Sequence, residues 1–519
     1  MDSSQPAARS GGVVGILAFG GIVAAITQTL VVPLIGELPT LFDTTTSNAS
    51  WVVTATLLAA AVITPVAGRL GDMYGKKRML LASLVPLILG SVVCALSSSV
   101  VPMIAGRGLQ GLGMGVVPLG ISLLRDVVPA EKLGSSIALM SASMGVGGAL
   151  GLPFSAAIAE NASWRVLFWV VAALTLAVAT LIWFFVPAGR ENTASGSFDL
   201  LGAIGLGIAL VCLLLGVSKG ADWGWGSATT LGLLAAAIVL LLAWGWWELR
   251  SAEPLVDLRV TARPQVLMTN AASILVGFAM YSQSLVIPQL LQLPKETGYG
   301  LGESMLGMGL WMAPAGLMMM IISPIGAKLS AAKGPRITLT VGALVIALGY
   351  GISLPIIGNG SALGLLAVTI VCSTGVGFAY GAMPALIMGA VPQSETASAN
   401  SFNTLMRSIG SSVSAAVMAV VLAQMTTRFG PVSLPSESGF RVAMLIGSGV
   451  GIAAAIVAFL IPVRPAATAR ESAGSRSTAA KERSGGSDGW RFTGGSPCRR
   501  VRSRSSRGRS RAVGRRAGR

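Results

Sequence analysis

The chain has no histidine in 519 residues, which removes the commonest general base, the usual zinc ligand and the side chain that titrates nearest neutral pH. Cysteine is scarce: Cys94, Cys212, Cys372 and Cys498 are scattered, three of them inside apolar runs, with no CxxC spacing. They suggest neither a disulfide framework nor a metal site and read as small apolar fillers. Charged residues make up only 11% of the chain, and no phosphate-cradling P-loop is present to supply a built-in ATP motor. Without histidine, paired intramembrane carboxylates or a nucleophile beside a base, the sequence argues against an enzyme, and it implies no cofactor.

What the chain has is apolar length. It is 53% hydrophobic, with a mean hydropathy of +0.75, and apolar runs of about 20 residues recur from end to end, each long enough to cross a bilayer as a helix. Lipid offers no partners to backbone groups, so such runs must be helical. Splitting at polar and Gly/Pro-rich breaks gives fourteen spans, from 13–36 at the start to 362–388, 402–425 and 441–463 at the end. The first run, Gly11 to about Gly36, is too long for the apolar part of a signal peptide and is expected to stay as helix 1.

An even count puts both termini on one side. With the tail and the two arginines inside helices 4 and 13 left out, that side holds 14 Lys and Arg against five on the other, so the positive-inside rule makes both termini cytoplasmic. Trp51, Trp164, Trp223 and Trp225 then fall near outer boundaries, where indole rings prefer to sit. Residues 464–519 break the pattern, with 16 Lys and Arg against three acids. Such a segment buries too little apolar surface to fold and reads as a disordered basic tail near anionic headgroups. Its aromatics stop at Trp490 and Phe492, so no nucleic acid is expected as a partner.

Charge gathers at one place inside the spans' territory, "GRLGDMYGKKRM" at 68–79. Gly68, Gly71 and Gly75 suit a tight turn, and Asp72 is positioned to accept from a helix N-terminus or from a cation such as Lys76 or Arg78. A weak echo, "AKLSAAKGPR" at 327–336, aligns Leu329 with Leu70 and Gly334 with Gly75, but sets Ala331 against Asp72. Two related six-helix halves with a substrate site between them are a recurrent carrier design. With halves at helices 1–6 and 9–14, helices 7 and 8 become an inserted pair.

"GRLGDMYGKKR" resembles the loop signature G-x-L-x-D-x-x-G of the major facilitator superfamily, and "RGLQGLGMG" at 107–115 resembles its helix 4 motif. "GVGGALGLP" at 145–153 is similar to the helix 5 antiporter motif, carried here by Gly147, Gly151 and Pro153. "SWRVLFWV", "FDLLGAIGLGI", "EPLVDLRV" and "NTLMRSIGSS" are similar to segments of the fourteen-helix drug:proton antiporter branch. The resemblance implies an all-α polytopic membrane protein with the major facilitator fold. Its parts are a cytoplasmic N-terminus (1–12), a first half (13–187), inserted helices 7 and 8 (200–247), a second half (265–463) and the tail (464–519).

It further implies alternating-access export across the cell membrane in exchange for protons. A carrier of another small metabolite on the same fold is the alternative. A conformational latch would join Gly68, Asp72, Gly75, Lys76 and Arg78 to Asp126 at the end of helix 4. Arg107, in helix 4 with Gln110 on its face, is implied in proton coupling or gating. Helix 1 carries Gln28 where many members have an acid, which leaves Glu37, Glu160, Asp72 and Asp126 to titrate. Gln28, Asn270, Tyr281, Gln283, Gln289 and Trp311 are candidates to line the cavity. A cavity so poor in charge suits hydrophobic or amphipathic substrates better than sugar phosphates or strongly anionic ones.

Overall fold

A computed structural model describes residues 7–31, 34, 37–189, 197–358, 360–429 and 432–462, except the side chains of residues 7–10, 46, 47, 160, 432 and 433. The basic tail, with its expected headgroup contacts, and the Glu160 side chain lie outside that description.

Fourteen helices among the described residues are long and apolar enough to cross a bilayer. They are α1 (Gly11–Thr29), α2 (Asn48–Tyr74), α3 (Lys76–Leu96), α4 (Val100–Val127), α5 (Ala130–Ala159), α6 (Arg165–Phe185), α7 (Leu200–Trp223), α8 (Ala228–Arg250), α9 (Pro264–Gln292), α10 (Met305–Lys333), α11 (Pro335–Ile357), α12 (Ala362–Ala390), α13 (Gln393–Gln424) and α14 (Glu437–Phe459). Their starts are written locally. Thr45, Asp199, Ser227, Ser304, Ser361 and Ser436 each accept a backbone N–H from three residues on, satisfying a donor that has no partner within the helix.

The two copies of the loop motif fold alike. Gly75 alone joins α2 to α3 at φ +98°, and Gly334 alone joins α10 to α11 at φ +88°, backbone that a side chain would strain. The likeness extends to the next helices. A Cβ on Gly90 of α3 would sit 2.4 Å from the Gly106 carbonyl of α4, and one on Gly375 of α12 would sit 2.4 Å from the Gly342 carbonyl of α11. Small residues bring these backbones into contact at matching places in each half.

Each half has its own core. Leu17, Leu80, Leu84, Leu119, Val178 and Ile182 are buried together in the first, and Val276, Leu290, Leu339, Ile346, Tyr350 and Phe440 in the second. Helices α7 and α8 pack on each other, and α7 also lies against both α2 and α13. There Leu206, Leu210 and Leu214 meet Ala61, Phe402 and Leu405. Lys219 fastens α7 to the start of α2: it bonds Asp222 at 2.9 Å and the Ser50 hydroxyl, and lies 5.4 Å from the centre of the Trp51 ring. On α8, buried Glu248 accepts the Leu255 and Val256 amides at 3.1 and 3.2 Å and so pins the α8–α9 linker.

Four local expectations change, the first at 68–79, where Gly68 and Gly71 lie inside α2 and Gly75 alone makes the turn. Helix 1 ends at Thr29 rather than near Gly36, with turns at Leu30 and Val31 ahead of Pro33, whose ring cannot extend the helical ladder. Helix 13 does not begin at 402: the chain is already helical from Thr396, because the polar run "TASANSFN" finds partners inside the bundle. The connection between α13 and α14 holds a hairpin, Thr426–Phe429 paired antiparallel with Val432–Pro435.

Candidate functional site

The helix ends around Gly75 and Gly334 form what is called here the basic end of the bundle. At that end the halves touch through α2 and α4 on one side and the start of α13 on the other. Gly68 permits the approach, since a Cβ there would lie 2.5 Å from the Ser401 hydroxyl, while Gly71 seats α4 within the first half, where a Cβ would lie 2.4 Å from a Leu119 methyl. One residue on, Asp72 is 2% exposed. Its Oδ1 accepts the Ala397 amide at 3.0 Å, and its Oδ2 accepts the Ser398 amide and the Ser398 hydroxyl, each at 2.8 Å. The carboxylate therefore closes the open N-terminus of α13 from the opposite half, where the helix dipole favours an anion.

Of the two partners open to Asp72 in the sequence, the structure uses the helix start. Lys76 instead donates to Asp126 at 2.8 Å in a buried ion pair within the first half. Asp126 in turn accepts from Gln393 Nε2 at 3.1 Å across the seam. Arg125 adds a bond to the Thr396 hydroxyl at 2.7 Å, and Asn400 Nδ2 donates to the Ser122 hydroxyl at 3.3 Å. Arg78 is exposed and makes no ion pair with a described residue. In the second copy, Ala331 stands exposed at the register of Asp72, so the second half's loop offers no carboxylate in return.

Deeper in the first half, Arg107 is 1% exposed, at a depth where a charge costs about 2.5–3.5 kcal/mol on insertion scales. It donates to the Thr27 carbonyl of α1 at 2.8 Å, the Val52 carbonyl of α2 at 3.2 Å and Gln110 Oε1 at 2.7 Å. Gln110 passes the chain on to the Ser91 hydroxyl of α3 at 2.8 Å. The guanidinium thus ties four helices together through neutral acceptors. On α5, Gly147 and Gly151 seat α1, with prospective Cβ positions 2.4 Å from the Ile22 carbonyl and 2.1 Å from the Thr29 hydroxyl. Gly145 and Pro153 face the other way, onto Met319 and Gly309 of α10 in the second half.

The six residues offered for the cavity are not brought together. Gln28 points its amide at the Met114 sulfur, 3.6 Å away. Gln283 bonds the Thr369 carbonyl at 3.2 Å inside the second half, and Asn270 accepts from Asn403 at 2.8 Å. Asn270 also borders a pocket of about 440 Å³ with Arg69, Glu253, Asp257 and Glu395. Tyr281 and Trp311 are half-buried, and Gln289 is exposed. Glu37 is exposed at the far end.

Where the halves meet, the cleft between α4, α5, α12 and α13 is lined instead by Val117, Ser141, Tyr380, Asn400, Asn403 and Arg407, among others. Arg407 is 7% exposed, with its guanidinium 4.4 Å from the centre of the Tyr380 ring. It stands in the sequence in "NTLMRSIGSS", and a lone arginine within an apolar span was the signal that could have singled it out, as it did Arg107.

A bundle of membrane-crossing helices in two like halves, meeting in a cleft and fastened at one end by contacts that can separate, has the architecture of a secondary carrier. Residues 17–415 match the Major Facilitator Superfamily, and the chain belongs to that family. It is 32% identical over 311 residues, 59% of this chain and 44% of the relative, to an uncharacterized MFS-type transporter of Mycobacterium tuberculosis (strain CDC 1551 / Oshkosh). It is 26% identical to the tetracenomycin C resistance and export protein of Streptomyces glaucescens, over 64% of this chain and 61% of that one. Both alignments thus span less than two thirds of the relative. The fold is like that of the human organic anion transporter MFSD10 (TETRAN), with a TM-score of 0.59 over 88% of this chain and 100% of that one. At 16% identity this likeness is one of fold alone.

Proposed function

We propose that the chain exports small hydrophobic or amphipathic molecules, such as drugs or antibiotics, across the cell membrane by alternating access in exchange for protons. Both termini and the basic end face the cytoplasm in this reading, which the excess of 14 over five Lys and Arg supports. The observation that carries it is the Asp72 carboxylate on the start of α13. It joins the two halves through hydrogen bonds and no covalent link, so it is a contact that can be made and released. Gln393, Arg125 and Asn400 support the same closure. The relative named for tetracenomycin C resistance and export supports the direction and the type of cargo.

The test is transport in everted membrane vesicles containing the chain. A hydrophobic dye accumulates when a proton gradient is formed, and a protonophore abolishes the accumulation. Accumulation that persists after collapse of the gradient removes proton exchange from the reading, and counterflow of a nutrient with none of any dye or antibiotic removes drug export.

A further inference from the structure

We propose that the cleft between the halves is a site for an acidic amphiphile, an apolar molecule bearing one carboxylate or phenolate, held by Arg407. This rests on the export reading and names the substrate class within it.

The distribution of charge is the first argument. Each of the 20 Asp and Glu lies in a loop, in a terminal segment or within one turn of a span's end, so none is available at mid-membrane depth. Two arginines, Arg107 and Arg407, do lie well inside spans. Arg107 already has three acceptors. Arg407 has one long bond, Nη2 to the Thr404 hydroxyl at 3.5 Å, and the face of Tyr380. Among the described residues no carboxylate or carbonyl accepts from it. A guanidinium has five N–H donors, so most of this one's capacity is unused.

The second argument is what stands opposite. Ser141, on α5 of the first half, is 2% exposed, and Asn400, on α13, is 3% exposed. Both line the same cleft, and neither the Ser141 hydroxyl nor Asn400 Oδ1 has a partner. Buried polar atoms are rarely left this way. The unmet groups therefore comprise donors from both halves, the Arg407 fork and the Ser141 hydroxyl, with one acceptor beside them. A carboxylate takes the fork in two parallel bonds. Its substrate's N–H or O–H would meet Asn400, while Val117, Met144 and Tyr380 receive the apolar body. A cationic substrate would meet Arg407 and find no carboxylate.

With the basic end fastened, the cleft holds about 10 Å³, room for roughly one water. The acid enters only when the halves part, and its two sides are then gripped from both halves as they close.

The experiment uses the full chain in everted vesicles energised by a proton gradient. The probe is one labelled naphthalene derivative in three forms: carboxylate, neutral amide and amine. The carboxylate is expected to accumulate about tenfold faster than the amine. Arg407→Gln should lower the ratio of carboxylate to amide uptake about tenfold, and Arg407→Lys should lower it less. Retained amide uptake shows that the variants fold. If Arg407→Gln loses the amide too, Ser141→Ala decides: a selective fall in carboxylate uptake supports the site, and no change overturns it. Preference of the native chain for the amine, or full carboxylate uptake by Arg407→Gln, overturns the acid site and leaves export standing. Uptake of none of the three overturns the export reading and this proposal together.

Discussion

Replacing Asp72 by asparagine keeps the shape of the side chain and removes its charge, so it isolates the electrostatic part of the fastening at the basic end. The native carboxylate accepts three hydrogen bonds from the start of α13. Bonds to a charged acceptor contribute about 1.5–3 kcal/mol each, against roughly 1 kcal/mol for neutral pairs. In its best orientation the substituted amide keeps one oxygen for Ser398 and turns its NH₂ toward the Ala397 amide, donor against donor. One bond is lost, two are weakened, and the interaction with the helix dipole falls by about 0.3–1 kcal/mol. The closed arrangement should lose on the order of 3–4 kcal/mol, a shift of about 100- to 1,000-fold toward separated halves. The assay is a distance measurement between spin labels at exposed Tyr74 and Lys333, one in each half at this end, in a chain with its four cysteines replaced by alanine. A short, narrow distribution in the native background should become long and broad in Asp72→Asn, and export should fall. An unchanged distribution in both Asp72→Asn and Asp72→Ala would refute the argument that this carboxylate holds the halves together.

The ion pair beside it behaves differently because it is buried within one half. Lys76→Met strands Asp126 and should destabilise the protein by about 3–5 kcal/mol, with recovery in the Lys76→Met, Asp126→Leu double variant, read as thermal unfolding in detergent. Close packing of α9 on α13 gives a steric test: a Cβ on Gly410 would sit 1.9 Å from the Ile274 carbonyl, whereas one on Gly108 meets nothing within 4 Å. Gly410→Ala should cost about 1–3 kcal/mol and Gly108→Ala nothing measurable, by the same unfolding measurement.

The helices, the turn at Gly75 and the presence of a lone acid at Asp72 were legible because each is a local departure from an apolar background. A charge or a glycine among leucines is visible without knowing what it touches. Its partner was not visible. The start of α13 lies more than 300 residues away in a run whose polarity reads as a loop, and only the packing of Gly68 against it makes that polarity useful. The same reason hid the cleft. Gln283 is a polar residue in a span, just as Asn400 and Ser141 are, yet it turns into its own half and the latter two line the seam. Which way a span faces is settled by its neighbours, and polarity alone does not report it.

The position of α7 has a mechanical consequence. It rests on α2 and on α13, the two helices that would draw apart in the proposed opening of the basic end, so it could not then stay seated on both. Lys219 decides which contact survives, because its bonds to Ser50 and Asp222 and the nearby Trp51 ring hold α7 to the first half. The contact with α13 is made by apolar side chains such as Phe402 and Leu405, which can slide without breaking a polar bond. In the proposed export cycle α7 and α8 would therefore hang from the first half like a door, pivoting near Lys219 and sweeping across the other half's flank as the basic end opens.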